Sequence, residues 1–147
     1  WYPLNRALLP TSSVLFNNTN STELVGKSAL FKGYHEPVVY SNHFTRLRTF
    51  PEQLLPELLT SWLNLQWETG VFAAICNRWI GQSAVKPAML LDLSFPKPPL
   101  SEQSRIAAVL DEAMAEVAAA RAAAQAELDA STALPAALLR RAFSGGL

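Results

Sequence analysis

Side chains able to do chemistry are few in this sequence of 147 residues, and they are scattered. Gly26-Lys27-Ser28 has the ending of a phosphate-cradling loop. The full pattern needs a glycine five residues before Gly26, and Ser21 stands there, in an Asn-rich run that is no glycine cradle. His35 and His43 lie on separate segments with no carboxylate constellation around them, which a metal site or a nucleophile relay would require. Cys76 closes the apolar run 71–76 and reads as a buried, inert thiol. Asn17-Asn18-Thr19 and Asn20-Ser21-Thr22 match the glycosylation acceptor pattern, which Asn-rich loops meet by chance. With no G-x-G-x-x-G fingerprint either, the chain reads as a non-enzyme with no catalytic residue, no metal ligand and no cofactor of its own.

What remains is a set of planar polar side chains, Asn17, Asn18, Asn20, Asn42, Asn77 and Gln82, in segments that read as loops. Lys27, Arg46, Arg48, Arg78 and Lys86 accompany them. Asn and Gln pair in bidentate fashion with adenine, and Arg or Lys with guanine or phosphate. The plainer alternative is that Asn and Ser build turns while Arg46 and Arg48 solvate one strand face.

These residues need elements to position them. All four Trp, all three Tyr and nearly all Phe precede the stretch Phe95-Pro96-Lys97-Pro98-Pro99-Leu100, and an alanine-rich run follows it. The prolines forbid one helix across the junction. The spacing therefore predicts an α+β chain: a small mixed α/β domain over 1–96, then a helical region over 97–147. Strands are expected at 14–16, 28–31, 38–40, 44–48 and 89–93. A helix is expected from Pro51 to Gly70, with Leu54, Leu55, Leu58, Leu59, Trp62 and Leu63 as its core stripe. The second region has Ser101 as N-cap and Glu102 in the first turn, where the helix dipole favours negative charge. From Ile106 a seam runs through Leu110, Met114, Val117, Arg121, Ala124, Leu128 and Ser131 in steps of four and three, the spacing of a coiled coil. Pro135 should kink or end this helix, leaving a short C-terminal helical segment before a Gly145-Gly146 stop. Thirty-odd residues make a rod of roughly 45–50 Å. Its narrow apolar seam asks for a partner helix.

The twelve basic and twelve acidic residues cancel, with no basic arm. One Cys excludes a disulfide framework, and no run approaches the ~20 apolar residues of a membrane helix. No signal peptide opens the chain, so a cytoplasmic location is expected. The start at Trp1 suggests a piece of something longer.

Three stretches carry a resemblance: Val14-Leu15-Phe16-Asn17-Asn18-Thr19-Asn20-Ser21, Leu24-Val25-Gly26-Lys27-Ser28-Ala29-Leu30-Phe31, and Asn42-His43-Phe44-Thr45-Arg46-Leu47-Arg48. They resemble a target-recognition domain of the specificity subunit of type I restriction–modification systems. Pro98-Pro99-Leu100-Ser101-Glu102-Gln103-Ser104-Arg105-Ile106, coupled to Phe143-Ser144-Gly145 after a long Ala-rich helix, is similar to the conserved helical region that follows such a domain.

The resemblance implies a non-catalytic subunit in which each recognition domain reads one half of a split DNA target and paired helices hold two domains apart. It implies double-stranded DNA, methyltransferase (modification) subunits and a restriction subunit as partners, with S-adenosylmethionine and ATP belonging to those subunits. A full subunit carries two recognition domains and two helical regions; this chain carries one of each, so a homodimer is expected, with two-fold pairing predicting a palindromic split site. The segment that opens such a domain is short here. Expected DNA contacts are Asn17, Asn20, Ser21 and Lys27, then Arg46, Asn77, Arg78, Gln82 and Lys86, with Gly26 as a turn requirement. The expected dimer seam is Ile106, Leu110, Met114, Val117, Ala124 and Leu128. The rival reading is a protein–protein adaptor that dimerises through the helix and binds no DNA, which the near-neutral charge favours.

Overall fold

The computed structural model describes residues 8–145. The outer limits of the expected domains, at 1 and 147, and Gly146 of the expected stop lie outside them. The chain divides into two compact units, the first reaching Ala107 and the second starting at Ala108.

In the first unit, β1 (Ser13–Asn17) is the central strand of an antiparallel sheet, flanked by β3 (Ser28–Phe31) and β4 (Phe44–Leu47). The strand period of two sends Val14 and Phe16 to the buried face and leaves Leu15 half-buried on the other. α1 (Pro56–Glu68) covers that buried face with Leu63, and α2 (Val71–Ile75) adds Phe72, whose ring meets Phe16 edge-on at 5.0 Å. Asn64 on α1 docks on an edge of the sheet: its Oδ1 accepts from Ser28 N at 2.9 Å and its Nδ2 donates to Ser28 O at 3.0 Å. A second antiparallel sheet has β6 (Gln82–Ala84) between β2 (Thr19–Asn20) and β5 (Asn77–Trp79). α3 (Pro87–Leu91) follows, and α4 runs from Leu100 to Phe143.

The α+β class stands; several boundaries move. Residues 38–40 form no strand: Val39 makes a single bridge to Leu8. Residues 89–93 are not a strand either, because Pro87 opens a helix there with its φ already set, and Ala88, Met89, Leu90 and Leu91 continue it. Pro51 sits in a turn, and Pro56 takes the first-turn place in α1, since it holds Leu55 before it extended (φ −71°, ψ 131°). Asn17, Asn20, Asn77 and Gln82 lie in strands rather than loops.

At the start of α4, Pro99 O accepts from both Glu102 N and Gln103 N, so Ser101 lies inside the first turn and is not the cap. Pro135 does not end the helix, which continues through the helix formers Ala136, Ala137, Leu138 and Leu139 to Phe143. The 44 residues of α4 span about 66 Å.

The first turn of α4 is held by one side chain. Gln103 is fully buried. Its Oε1 accepts from Leu55 N at 2.9 Å, and its Nε2 donates to Gln53 O at 2.9 Å and to Pro98 O at 2.8 Å. Leu55 is the N-cap of α1, with no side chain capping that helix, so Gln103 satisfies a helix-entrance N–H from 48 positions away. Gln103→Met keeps the volume and removes all three bonds. It should lower stability by roughly 2–3 kcal/mol, the cost of leaving buried backbone groups unpaired after relaxation. The urea midpoint at unchanged slope measures this, and a loss under about 0.5 kcal/mol would show that the clamp does not secure this junction.

Candidate nucleic-acid interface

The chain crosses from the first sheet to the second at Asn18, between β1 and β2. Its backbone N–H donates to His43 O at 2.9 Å, and its carbonyl accepts from Val85 N at 2.9 Å. Its Nδ2 reaches Asn42 O and Thr45 Oγ1, and its Oδ1 accepts from Thr19 Oγ1. This network ties the end of β1 to the turn before β4 and to Val85, the residue that follows the 77–84 hairpin. Asn18 was absent from the expected contacts; apart from Thr19, its partners lie 24 or more positions away, beyond any local pattern.

The second sheet brings four of the expected contacts together. Asn20 pairs with Ser83, and Ser83 with Arg78, so these three share a row and a face. Gln82 pairs with Trp79, and Asn77 with Ala84, alternate rows that point to the opposite face. Ser83 is buried, its hydroxyl 2.8 Å from Thr22 Oγ1. Arg78 is exposed and donates to Ala73 O at 2.8 Å. The hairpin closes in a two-residue turn at Ile80-Gly81, with Gly81 in the left-handed region (φ +77°). At this tip Trp79 is 59% exposed and Ile80 wholly so. Sequence reasoning passed over both, because strands of three residues are too short to show a period. The Gly after Trp79-Ile80 was the available signal.

The other expected contacts are dispersed. Asn17 is buried at the end of β1; its Nδ2 donates to Leu24 O at 3.2 Å, and its Oδ1 has no partner among the described residues. Asn20 Oδ1 accepts from Ser21 N, and the Ser21 hydroxyl bonds the Glu23 carboxyl, holding it below the usual carboxylate range. Lys27 is exposed, its Nζ 4.9 Å from the centre of the Trp67 ring, and the Trp67 indole N–H donates to Glu23 O. Arg46 is half-buried on β4, opposite Leu15, and Lys86 is exposed at the start of α3. Gly26-Lys27-Ser28 runs from a turn into β3, not into a helix, so it lacks the geometry of a phosphate loop.

No three His, Cys, Asp or Glu side chains among the described residues gather as a metal site would need. Cys76 is buried, with Sγ 3.4 Å from Ala73 O. No helix among the described residues is long and apolar enough to cross a membrane.

On α4 the expected seam positions fall along one stripe of a continuous helix. Ile106 is half-buried within the first unit. Leu110, Met114, Val117, Arg121, Ala124, Leu128 and Ser131 are exposed.

Compared with known proteins, the chain matches no family model. It is 31% identical over 99 residues to a protein of Methanocaldococcus jannaschii named "Putative type I restriction enzyme MjaX specificity subunit". The match covers 67% of this chain and 23% of that protein.

Gly26 has φ +95°, and a Cβ there would press into the Phe72 ring. Gly81 has open space around it. Gly26→Ala should therefore cost at least ~2 kcal/mol, strain plus overpacking, and Gly81→Ala about 1 kcal/mol, strain alone. Paired urea titrations measure the difference, and equal losses would show that contact with Phe72 is not what fixes this turn.

Proposed function

This chain belongs with the specificity subunits of type I restriction enzymes, and on that footing we propose that it reads DNA without catalysing any reaction, as one recognition unit on one spacing helix. The observation that carries the reading is the sequence match to such a subunit, joined to a compact α+β unit that continues into a single long helix with an exposed seam. The matched protein is more than four times as long as the aligned stretch. Whole-subunit properties are therefore part of the proposal: two recognition units per assembly, a split target, and docking of modification and restriction subunits. S-adenosylmethionine and ATP would be handled by those subunits, none by this chain.

The 77–84 hairpin is the reading element in this proposal. A two-stranded ribbon fits the major groove, and its tip carries Trp79 and Ile80 beside Arg78 and Gln82. Arg78 suits guanine and Gln82 adenine; Asn20 and Asn77 flank them on the same sheet. Lys27, Lys86 and Arg46 take phosphates. Asn17, buried with its amide donating to the Leu24 carbonyl, reads no base in this proposal.

The second copy follows from the seam. A two-fold antiparallel partner must map the stripe onto itself. Among the registers that do so, the two with most of the larger side chains facing one another are one heptad apart. In one, Leu110 faces Leu128, Met114 faces Ala124 and Val117 faces Arg121; in the other, Val117 faces Leu128 and Arg121 faces Ala124. The two Gln103 clamps then lie about 48 or 58 Å apart along the helices. At about 3.4 Å per base pair this equals roughly 14 or 17 base pairs, so half-site spacing is set by register.

Two measurements test the proposal. Lys27→Ala and Lys86→Ala should weaken binding to all duplexes and flatten the salt dependence by about one unit each. Gln82→Ala should lose ~1–3 kcal/mol of discrimination at one base position only. Equal losses on specific and random duplexes for Gln82→Ala would remove it as a reader. Absence of duplex binding both alone and with a modification subunit would leave the adaptor reading. Sedimentation equilibrium at tens of micromolar should give twice the chain mass; a monomer would overturn the paired-helix spacing.

A further inference from the structure

At the foot of α4 lies an apolar groove of about 390 Å³, lined by Leu58, Trp62, Phe95, Pro96, Pro98 and Ile106, all within the first compact unit. The Phe95 ring meets Trp62 edge-on at 5.1 Å, which holds the groove wall open as a shaped surface. Lys97 also borders it, but its ammonium donates to Gln53 Oε1 at 3.0 Å, so its charge is engaged by Gln53. At the other end of the same helix, Leu138, Leu139 and Phe143 are exposed, Phe143 at 90%.

We propose that in the paired assembly the C-terminal tip of one copy's helix, through Leu139 and Phe143, docks in the foot groove of the other copy. The inference rests on the antiparallel pairing above and deepens it. Three observations carry it. Ile106 is at once the first seam position and part of the groove wall, so the seam runs into the groove without a break. Helix pairing through the seam alone leaves the Phe143 ring exposed to water, and an apolar receptor would cover it. Both registers bring it there: one sets Leu139 opposite Ile106 and Phe143 opposite Glu102, and the other, one heptad further along, carries both side chains past the first turn of α4 toward the proline connector at 95–99. In either case the last two turns of one helix lie along residues 95–106 of the other, where the groove is.

The test uses cross-linking between two differently marked chains, with Cys76→Ala in both. One chain carries Lys97→Cys and the other Phe143→Cys, so any covalent pair is between copies. A bismaleimide spanning one heptad, about 10 Å, covers both registers. A second mixture, Leu110→Cys with Leu128→Cys, reports the antiparallel coil itself. Cross-linking in both mixtures supports docking. A dimeric mass with the coil pair cross-linked and the 97–143 pair not cross-linked overturns the docking and leaves the pairing intact. A monomeric mass with neither cross-linked overturns the pairing and the docking with it. As a second readout in the unlinked protein, Phe143→Ala should weaken dimerisation at least tenfold, because each dimer holds two such contacts. Leu134→Ala, off the seam, should change it less than threefold; equal effects of the two would count against a specific seat for Phe143.

Discussion

The buried amide of Gln103 is the interaction on which the layout depends. A glutamine side chain offers one acceptor and two amide hydrogens, and here all of them bond backbone groups of three segments: the entrance to α1, the turn before it, and the proline connector. An apolar residue of equal size would fill the space and orphan those groups, at a cost set by burial. The clamp thereby makes the beginning of α4 part of the compact unit, so the seam starts at a fixed point, at Ile106. Any use of the helix as a spacer rests on that origin being constant from molecule to molecule.

The polar residues follow a different logic. Their common feature is not charge, for the chain is neutral, but placement on the second sheet, where Asn20, Asn77, Arg78 and Gln82 stand in adjoining rows. Asn18 locks this sheet to the first by bonds at both its backbone and its side chain. The frame is therefore built from short-reach amide bonds, while the exposed hairpin tip is left free of structural duties. Beside this frame the Glu23 backbone carbonyl accepts from the Trp67 indole, and Lys27 lies over that ring, so the position of the Lys27 charge is fixed through an aromatic contact.

How much of this was legible in the sequence depended on how local each cause is. Strands at residues 28–31 and 44–47 and the centre of β1 showed themselves because each holds a short apolar or β-prone run, with Phe31, Phe44 and Thr45, and Val14 and Phe16, between turn-forming flanks. The long helix was legible because helix-forming alanine fills it, with a stripe of larger side chains standing out by its spacing. Residues 89–93 misled because an apolar run of five has no decisive period, and Pro87 in front of it settled the matter toward helix. Ser101 has the chemistry of a cap, but Pro99 already supplied the accepting carbonyl two residues earlier. The candidate site was legible as a set of residue types; which of them share a face was not, since that is decided by the pairing of Ser83 with both Asn20 and Arg78. Gln103 could be quoted from its motif, but its task is set by residues about fifty positions away.

Sixteen of the 44 residues of α4 are alanine. Alanine has no rotamers to lose, whereas each lysine or glutamate immobilised in a contact forfeits up to about 2 kcal/mol of side-chain entropy. Two such helices brought together would freeze little motion, so even the shallow burial given by a few Leu, Met and Val side chains meets only a small opposing term. A sparse stripe on a bland rod is in this sense a low-friction surface for association, tuned by entropy rather than by the amount of greasy area.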